Sequence, residues 1–349
     1  MHETVAIVGT GLAGLAAARR LTASGRRVVL FEKSPGVGGR VSTRRVEGCL
    51  IDHGAQVIKP DGSALADVMF HQLPTTDLIE VSAPVRTFSA DGEILPVDPH
   101  YTAQRAFSYR NGMTTLPKLL IEAMPPALLE LKLRTRIGAI EEESDGFLLR
   151  DEQGRELLRA ENVVLTPPAP QAAALLTDSR LRDTALTQQR IEALRSVPYQ
   201  SCLSVLLGYA APTPPPPAYA LLSADRTRPL LWLAFEQTKG VSRVPQGEAV
   251  LIAQLGPAIS QELYDAPDTE VLDLTLRELQ TLFGDTYAHP RWQQVKRWRY
   301  SQPRGMVDFS AVNPTNSRLV VCGDALRPEN GRVYQAYSSG LEAAEFLLA

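Results

Sequence analysis

Three glycines near the N-terminus have the spacing of a dinucleotide-binding turn: Gly9, Gly11 and Gly14. The first permits a tight turn, the second leaves room for a pyrophosphate against the backbone, and the third allows close helix packing. Glu32 follows 18 residues after Gly14. A carboxylate at that position can accept hydrogen bonds from the hydroxyls of an adenosine ribose. The pattern therefore predicts that this segment binds a dinucleotide.

The residues around these glycines predict the elements that hold them. Residues 5–8 form an apolar run typical of a buried parallel strand, and residues 27–31 form a second one that ends at Glu32. Residues 15–24 between them have a helical pattern. The N-terminus of such a helix offers free N–H groups and the positive end of its dipole to phosphates. The segment is therefore predicted to be a βαβ unit.

A second glycine-rich loop follows at residues 33–40, with Gly38, Gly39 and Arg40. The Arg40 guanidinium could contact a phosphate. A plain NAD-binding unit does not require this loop, so the pattern indicates a ligand that continues beyond the pyrophosphate. Residues 52–56 form a compact turn in which Gly54 would let a flat ring approach closely. His53 beside it is interpreted as a local hydrogen-bonding residue rather than a base.

Composition limits the other classes of function. The chain has 36 Lys and Arg against 39 Asp and Glu, a formal net charge of −3, which offers no basic footprint for nucleic acid. No apolar run approaches the length of about 18 residues that a membrane-spanning helix needs. Three widely spaced cysteines and five histidines without ligand spacing predict neither disulfides nor a metal site. The N-terminus lacks the pattern of a secretory signal, so a cytoplasmic protein is expected.

Together these motifs resemble the FAD-binding oxidoreductases of the flavin amine oxidase superfamily. The resemblance extends to the C-terminus, where residues 319–325 are predicted to form a buried strand ending in Gly323-Asp324, followed by a helix over 333–348. It implies an α/β fold: a Rossmann-type FAD-binding domain with a β-meander, and a second, α+β substrate domain, as in p-hydroxybenzoate hydroxylase. It also implies that Asp324 contacts the flavin ribityl chain and that the last helix faces the pyrimidine edge.

The resemblance implies non-covalent FAD held by several separate segments, with backbone groups near Ile137 against the adenine edge. Cys49 and Cys322 each adjoin a predicted strand, so we expect buried thiols rather than flavin attachment sites. The predicted cofactor-binding residues are Gly9, Gly11, Leu12, Ala13, Gly14, Glu32, Lys33, Gly39, Arg40, Gly54, Ala55, Gln56, Ile137, Gly323, Asp324, Arg332 and Val333.

Within that superfamily the chain resembles renalase and its bacterial relatives in particular. The residues that carry this resemblance are Gly-Ala-Gln at 54–56, the segments 163–168 and 197–201, and Lys-Arg-Trp-Arg-Tyr-Ser-Gln-Pro at 296–303. Two positions depart from the pattern of those proteins. Val57 replaces an aromatic residue, and the strand over 250–255, with Gln254, lacks a histidine. Both departures fall where a substrate would stack.

The renalase-like resemblance implies an oxidase that takes hydride from a small donor onto flavin N5 and passes the electrons to O2. The implied donor is an isomer of dihydronicotinamide, NAD(P)H, whose aromatisation drives transfer without a side-chain base. Three alternatives stay open: an amine oxidase, a desaturase-type flavoenzyme of the same fold, and a non-enzymatic FAD-binding protein. The candidate cavity residues are Trp232, Gln254, Arg299 and Tyr337, and Trp298 is interpreted as a core residue.

The predicted elements divide into two discontinuous domains. The FAD-binding domain comprises residues 1–75, 105–198 and 296–349, and the substrate domain comprises 76–104 and 199–295. A β-meander is predicted over 131–140, 146–150 and 157–159, before a strand at 162–166. The substrate domain is predicted to hold strands near 200–209, 229–237 and 248–255 and a helix near 269–283. The proline-rich residues 212–217 are predicted to be a loop between strands.

Overall fold

A computed structural model describes residues 3–60, 62–97, 104–210, 218–240, 242–328 and 331–349, so the proline-rich loop at 212–217 lies outside the described residues. The strands are β1 (Thr4–Val8), β2 (Arg27–Phe31), β3 (Thr43–Val46), β4 (Cys49–Asp52), β5 (Leu78–Glu80), β6 (Val85–Phe88), β7 (Phe107–Tyr109), β8 (Leu129–Lys132), β9 (Ile137–Glu142), β10 (Phe147–Asp151), β11 (Glu156–Ala160), β12 (Asn162–Leu165), β13 (Tyr199–Tyr209), β14 (Ala220–Ser223), β15 (Leu230–Phe235), β16 (Ala249–Leu255), β17 (Trp292–Pro303) and β18 (Leu319–Val321).

The α-helices are α1 (Leu12–Ala23), α2 (Ala64–Asp67), α3 (Thr115–Glu122), α4 (Ala169–Thr177), α5 (Thr184–Arg195), α6 (Pro257–Glu262), α7 (Asp268–Phe283), α8 (Phe309–Val312) and α9 (Val333–Leu348). A π-helical turn covers Val68–Gln72, and short 3-10 turns cover Glu236–Thr238, Asp285–Tyr287 and Asp324–Leu326.

A five-stranded parallel sheet, in the order β18-β12-β1-β2-β8, carries the predicted βαβ unit. Strands β1, β2, β12 and β18 are buried along most of their length, as expected for short apolar runs in a parallel sheet, whereas the edge strand β8 is half-buried. Helices α1 and α9 pack together on this sheet so closely that a Cβ on Gly340 would lie 2.0 Å from the Ala13 carbonyl oxygen. Glycine at 340 therefore allows the last helix to lie against the first.

The predicted β-meander is present as the antiparallel sheet β11-β10-β9. The stretch predicted as one strand over 131–140 is in fact two strands. Its first part lies in β8 of the parallel sheet, and its second part starts β9 of the meander. Arg134, with a φ of 53°, lies in the turn between them, which breaks the extended backbone.

The second large sheet has six strands in the order β17-β13-β16-β15-β14-β6. One face packs on α7, and the other packs on the hairpin β3–β4 through Cys49 and Ile51. Strand β14 was missing from the predicted elements. Strand β17 pairs with β13 along most of its length, so the predicted domain boundary at residue 296 falls inside a strand of this sheet.

Helix α7 shows how local sequence sets these elements. Its first turn holds Asp268 and Glu270, whose charges favour the positive end of the helix dipole. Gly284, with a φ of 77°, follows its last residue, a conformation that favours glycine. Within the described ranges no helix is long and apolar enough to cross a membrane.

Candidate functional site

The first glycine turn forms a backbone cradle at the N-terminus of α1. Gly9, with a φ of 107°, donates its N–H to the Phe31 carbonyl at 2.8 Å. A Cβ on Gly14 would lie 2.1 Å from the Gly9 carbonyl oxygen, so a larger residue would push the helix off the turn. A Cβ on Gly11, by contrast, would meet nothing within 4 Å. The open space at Gly11 lies in front of the free N–H groups of Leu12 and the next residues of α1.

The second glycine loop lies against the first. Gly38 donates its N–H to the Thr10 carbonyl at 2.9 Å, and a Cβ on Gly39 would be 3.4 Å from the Gly11 Cα. The two loops therefore face each other across a narrow gap. Gly39 has a φ of 57°, which lets the loop turn there without strain. This arrangement suits a pyrophosphate bound by backbone N–H groups, and the residues present fit FAD.

Glu32 stands at the end of β2 as predicted, and it also braces the glycine turn. Its Oε2 accepts from the Thr10 amide at 3.1 Å and from the Thr10 hydroxyl at 2.8 Å. Its Oε1 accepts from the Ser34 amide at 2.8 Å. The residue is only 7% exposed, so it is a buried part of the turn. Its bond to a ribose stays a prediction.

Beside Glu32 opens a cleft of about 740 Å³ between the loop after β2 and the meander. Ile137, at the start of β9, is buried next to this cleft. Burial, followed by the charge of Arg136, lowers the pKa of Lys33 at its edge. The polar residues around the cleft include Lys33, Arg134, Arg136, Asp151, Glu152 and Arg155. This is the end of the site at which an adenosine would lie.

Arg40 and Asp324 form a two-pronged ion pair. Nη1 of Arg40 lies 2.8 Å from Oδ2 of Asp324, and Nη2 lies 2.8 Å from Oδ1. Nη1 also donates to the Ser301 carbonyl at 2.9 Å. The guanidinium of Arg40 is held by Asp324, and its contact with a phosphate stays a prediction. Asp324 directly follows Gly323, whose φ of 137° turns the chain out of β18.

The last helix is bonded to the segment that leads into Asp324. Arg332 precedes α9, and Val333 is its first residue. Gly323 donates its N–H to the Ser339 hydroxyl at 2.9 Å, which fixes the end of β18 against α9. The second turn of α9 therefore lies against the end of β18 that leads into Asp324.

The turn at Gly54 connects the glycine loops to the six-stranded sheet. A Cβ on Gly54 would lie 2.1 Å from the Arg40 carbonyl oxygen and 3.3 Å from the Trp298 ring, so only glycine fits. Ala55 donates its N–H to the Arg40 carbonyl at 2.9 Å. Gln56 accepts from the Trp232 indole at 3.0 Å, while its own Nε2 is buried without a partner among the described residues. A buried amide without a partner is one that a bound ligand can satisfy.

His53 and Trp298 stack at 5.4 Å between ring centroids. Trp298 also donates its indole N–H to the His53 carbonyl at 2.9 Å, so the hydrogen bond and the ring stack together fix its position. Burial lowers the pKa of His53 to about 4, helped by the charges of Lys296 and Arg44. His53 is therefore neutral at pH 7, and its Nδ1 is buried without a partner among the described residues. Trp298 lies at this site rather than in the core.

Strand register places several polar and aromatic side chains on one face of the six-stranded sheet. Trp232 lies opposite Gln254, Gln254 opposite Ser204, and Ser204 opposite Lys296. Directly opposed residues share a face, so the predicted candidates Trp232 and Gln254 are brought together. Sequence reasoning missed Lys296 as a site residue. Its spacing of two from Trp298 is the signal, because alternate residues of a strand share a face.

Arg299 and Tyr337 are not brought to this face. The Arg299 side chain is 55% exposed, lies 3.2 Å from Asp265 and covers the ring of Tyr264 at 4.2 Å. Tyr337 is fully buried among the apolar residues around α1 and α9, and this burial raises the pKa of its hydroxyl. The structure therefore corrects both proposals of a cavity position.

Both cysteines discussed as attachment sites are buried. Cys49 lies in β4 and Cys322 directly follows β18, and each is at most 1% exposed. Burial raises the pKa of the Cys49 thiol to about 11 and that of Cys322 as well. Both are protonated thiols at pH 7 and poor nucleophiles. In the described parts of the chain no cluster of three or more His, Cys, Asp or Glu side chains could hold a metal.

Sequence reasoning also missed a buried network of four charges. Nη1 of Arg243 lies 2.7 Å from Asp52 and 2.6 Å from Glu236. Lys239 lies 2.8 Å from Glu236 and 3.6 Å from Asp52. All four side chains are fully buried, and their formal charges sum to zero. The network joins the end of β4 to the turn that follows β15.

Hydrogen bonds from uncharged groups to Asp52 and Arg243 complete this network. Oδ1 of Asp52 accepts from the Thr43 hydroxyl at 2.7 Å and from the Met113 amide at 2.9 Å. Nη2 of Arg243 donates to the Ser108 hydroxyl and to the Tyr109 carbonyl, both at 2.8 Å. Because Asp52 lies two residues before Gly54, the network fixes the strand from which the turn at the site starts.

Comparison with known proteins adds family information to this geometry. The family described as flavin containing amine oxidoreductase matches residues 85–348, and the family described as NAD(P)-binding Rossmann-like domain matches residues 7–73. Lysine-specific histone demethylase 1 homolog 3 of Oryza sativa subsp. indica is 30% identical over 156 residues, 44% of this chain and 19% of that protein. Putrescine oxidase of Kocuria rosea is 46% identical over 65 residues, 19% of this chain and 14% of that protein. The chain thus aligns with less than a fifth of the length of these relatives.

Solved structures agree in fold over the whole chain. A putative protoporphyrinogen oxidase from Exiguobacterium sp. 255-15 has a TM-score of 0.78 at 16% identity and covers 100% of both chains. Cyclohexylamine oxidase from Brevibacterium oxydans IH-35A has a TM-score of 0.74 at 15% identity, with 99% of this chain and 98% of that one covered. At such identities the likeness shows the fold alone. It confirms the predicted α/β architecture with a Rossmann-type cofactor domain.

Proposed function

Because the chain belongs to the flavin containing amine oxidoreductase family, we propose that it is a renalase-like oxidase of dihydronicotinamide isomers. The family makes the chain an FAD-dependent oxidoreductase, which removes the alternative of a non-enzymatic flavoprotein. The donor, and O2 as the acceptor, are the proposed parts. FAD, when bound, supplies the redox chemistry by accepting a hydride from the donor and passing two electrons to O2.

The observation that carries this proposal is the pair of fixed indole rings beside Gly54. Trp298 is held by the His53 carbonyl and the His53 ring, and Trp232 is held by Gln56. Both rings are fixed in orientation by their N–H groups. His53 and Lys296 already lie over the Trp298 ring, so the half-buried Trp232 ring is the one proposed to stack on a ligand. A flat, planar donor ring is the ligand class that such a ring face accepts.

The titratable groups near these rings suit a donor that needs no proton removed. His53 is neutral but buried, and its Nε2 lies 3.4 Å from the Ser42 hydroxyl. Lys296 is a cation over the Trp298 ring at 4.9 Å. Oxidation of a dihydronicotinamide ring produces an aromatic cation by hydride loss alone. The missing base therefore fits this donor, whereas an amine donor must arrive as, or become, a neutral amine.

The proposed roles follow from the geometry of the site. The glycine loops bind the pyrophosphate, Glu32 binds the ribose while bracing the turn, and the Arg40–Asp324 pair orients the ribityl chain. Gln56 orients Trp232 and offers its free amide to the ligand. We assign the parallel sheet and the meander to the FAD-binding domain. The whole six-stranded sheet, including β17, forms the substrate domain.

An amine oxidase is the second candidate. It is favoured by the relatives, since putrescine oxidase and cyclohexylamine oxidase each share segments or fold with this chain. Desaturases such as the 4,4'-diapophytoene desaturase of Staphylococcus haemolyticus match over 54 residues, 16% of this chain. The desaturase match is about as short as that of putrescine oxidase, but the family that matches most of the chain is the amine oxidoreductase one, which favours the amine oxidase.

Oxygen consumption and peroxide formation by the FAD-loaded protein test the proposal. The donors are the 2- and 6-position dihydronicotinamide isomers, ordinary NADH and NADPH, putrescine and cyclohexylamine. We expect turnover with at least one isomer, and little with NADH or NADPH, whose hydride sits at ring carbon 4. Turnover with an amine and none with an isomer would replace the proposal by the second candidate.

A further inference from the structure

Two cations approach the ring stack of His53 and Trp298 from different segments. Lys296 lies on β17 opposite Ser204, and Ser204 shares a sheet face with Leu206. Arg44 lies on β3 opposite Ile51. Ile51 packs in the same buried cluster as Leu206, so the hairpin face that carries Arg44 is directed to this sheet. Arg44 and Lys296 therefore lie on the two sides of one interface, next to the candidate substrate site.

Neither cation has a carboxylate partner among the residues that the structure describes. Lys296 is half-buried and lies over the Trp298 indole, with its Nζ 4.9 Å from the ring centroid. Burial, followed by the charge of Arg44, lowers the pKa of Lys296. Asp52 is the carboxylate whose charge also reaches His53, but it is already bound by Arg243 at 2.7 Å.

A half-buried ammonium near a second cation is an unfavourable arrangement unless an anion joins it. A ligand group that reached this corner would meet the positive charges of Lys296 and Arg44. Cationic ligands would be repelled there.

We propose that Lys296 and Arg44 form a subsite for an anionic group, a phosphate or a carboxylate, of the substrate whose ring lies beside Trp298. The subsite rests on the proposed function for the position of that ring. It selects nucleotide-like or acidic donors over diamines such as putrescine. Arg44 and Lys296 bind and position the substrate in this account and take no part in electron transfer.

Calorimetric titration of the FAD-saturated protein with three probes tests the subsite. Inorganic pyrophosphate represents a phosphate group, benzoate a carboxylate, and putrescine a dication. We expect one or both anions to bind and putrescine to fail, and the anion that binds identifies the group. The variants are Lys296→Gln and Arg44→Gln, and Lys296→Arg is the charge-conserving rescue.

Arg45→Gln is the matched control. Arg45 is the next residue of β3 and, like Arg44, is exposed. It lies opposite Leu50, so its substitution removes the same charge from the other face of the hairpin. Anion binding should weaken about tenfold in Lys296→Gln and in Arg44→Gln, as for loss of one charged hydrogen bond, and Lys296→Arg should restore it. Arg45→Gln should change it by less than about twofold, because Arg45 lies on the face of the hairpin turned away from the subsite.

Three results would overturn the subsite: no anion binding, binding that all variants share, or equal weakening in Arg45→Gln. Binding shared by all variants would place the anion elsewhere, for example in the cleft beside Lys33 and Arg134. The titration reads binding and not turnover. The subsite can therefore fail while dihydronicotinamide isomers are oxidised, and it can stand even if they are not.

Discussion

The indole N–H of Trp232 donates to Oε1 of Gln56 at 3.0 Å, and this bond ties the six-stranded sheet to the turn at Gly54. A second bond joins the same two segments: the Asp52 amide donates to Oε1 of Glu236 at 3.1 Å. Asp52 lies four residues before Gln56, and Glu236 lies four residues after Trp232. The two bonds connect the same two segments at both ends. They explain how the turn at Gly54, which follows β4, keeps a fixed position against Trp232 of the six-stranded sheet.

Replacing Asp324 by Asn should weaken FAD binding. The carboxylate is 4% exposed and pairs through both oxygens with Arg40, so the change removes a charged partner next to the proposed ribityl position. We expect a loss of about 1–3 kcal/mol in the binding free energy of FAD, measured by titrating the FAD-free protein. Asp178→Asn, at an exposed helix end, is the control. Equal affinity in Asp324→Asn would make Asp324 a structural residue only.

Replacing Glu32 by Gln should reduce both FAD affinity and stability. The carboxylate accepts bonds from Thr10 and Ser34 without any ligand, so the FAD-free protein loses charged hydrogen bonds as well. We expect the free energy of unfolding of the FAD-free protein to fall by about 1–3 kcal/mol. Denaturant unfolding, with and without FAD, measures both effects. A change confined to the FAD-loaded protein would show that Glu32 serves the ligand alone.

Replacing Arg243 by Met should destabilise the fold strongly. Asp52 and Glu236 would keep only Lys239 as a cationic partner, and all three are fully buried. Breaking a buried ion pair in this way lowers the free energy of unfolding by about 3–5 kcal/mol. Arg159→Met is the control: its pair with Glu143 is exposed and should contribute less than about 1 kcal/mol. Similar losses in both variants would mean that the network is no more important than a surface pair.

His53 predicts a specific pH dependence of stability. Burial lowers its pKa from 6.5 to about 4, so between these values the unfolded chain takes up a proton that the folded chain does not. The free energy of unfolding should therefore fall as the pH drops through this window, by up to about 3 kcal/mol from this residue. Denaturant unfolding across the window should show a shallower loss in His53→Asn. If the free energy of unfolding depends on pH in the same way in both proteins, His53 does not have the lowered pKa.

Local spacing was enough to predict the βαβ unit, because the glycine turn, α1 and Glu32 lie within about 30 residues, the usual span of such a unit. Local spacing did not predict contacts between residues that are far apart in the sequence. Arg40 and Asp324 are 284 residues apart, and no local pattern shows that they pair. Asp52 is read as part of a turn motif, yet its burial depends on Arg243, which sequence alone leaves unmarked.

The candidate substrate residues show the same limit. Alternation along β16 and β17 places Gln254, Lys296 and Trp298 on one face only once the register with β13 is known. Arg299 looked equivalent in sequence, but its side chain lies on the opposite face against Asp265. Tyr337 lies in the second turn of α9, near the expected flavin, and its burial against α1 follows from tertiary packing alone.

Anaerobic mixing of the FAD-loaded protein with single donors tests the central claim most directly, with the flavin absorbance band as the readout. We predict rapid bleaching by a dihydronicotinamide isomer, and slow or no bleaching by ordinary NADPH. With Val57 and Gln254 in place of an aromatic and a histidine, bleaching should be slower or need more donor than in typical renalase-like enzymes. Rapid bleaching by NADPH with none by any isomer, or bleaching by amines alone, would contradict the account.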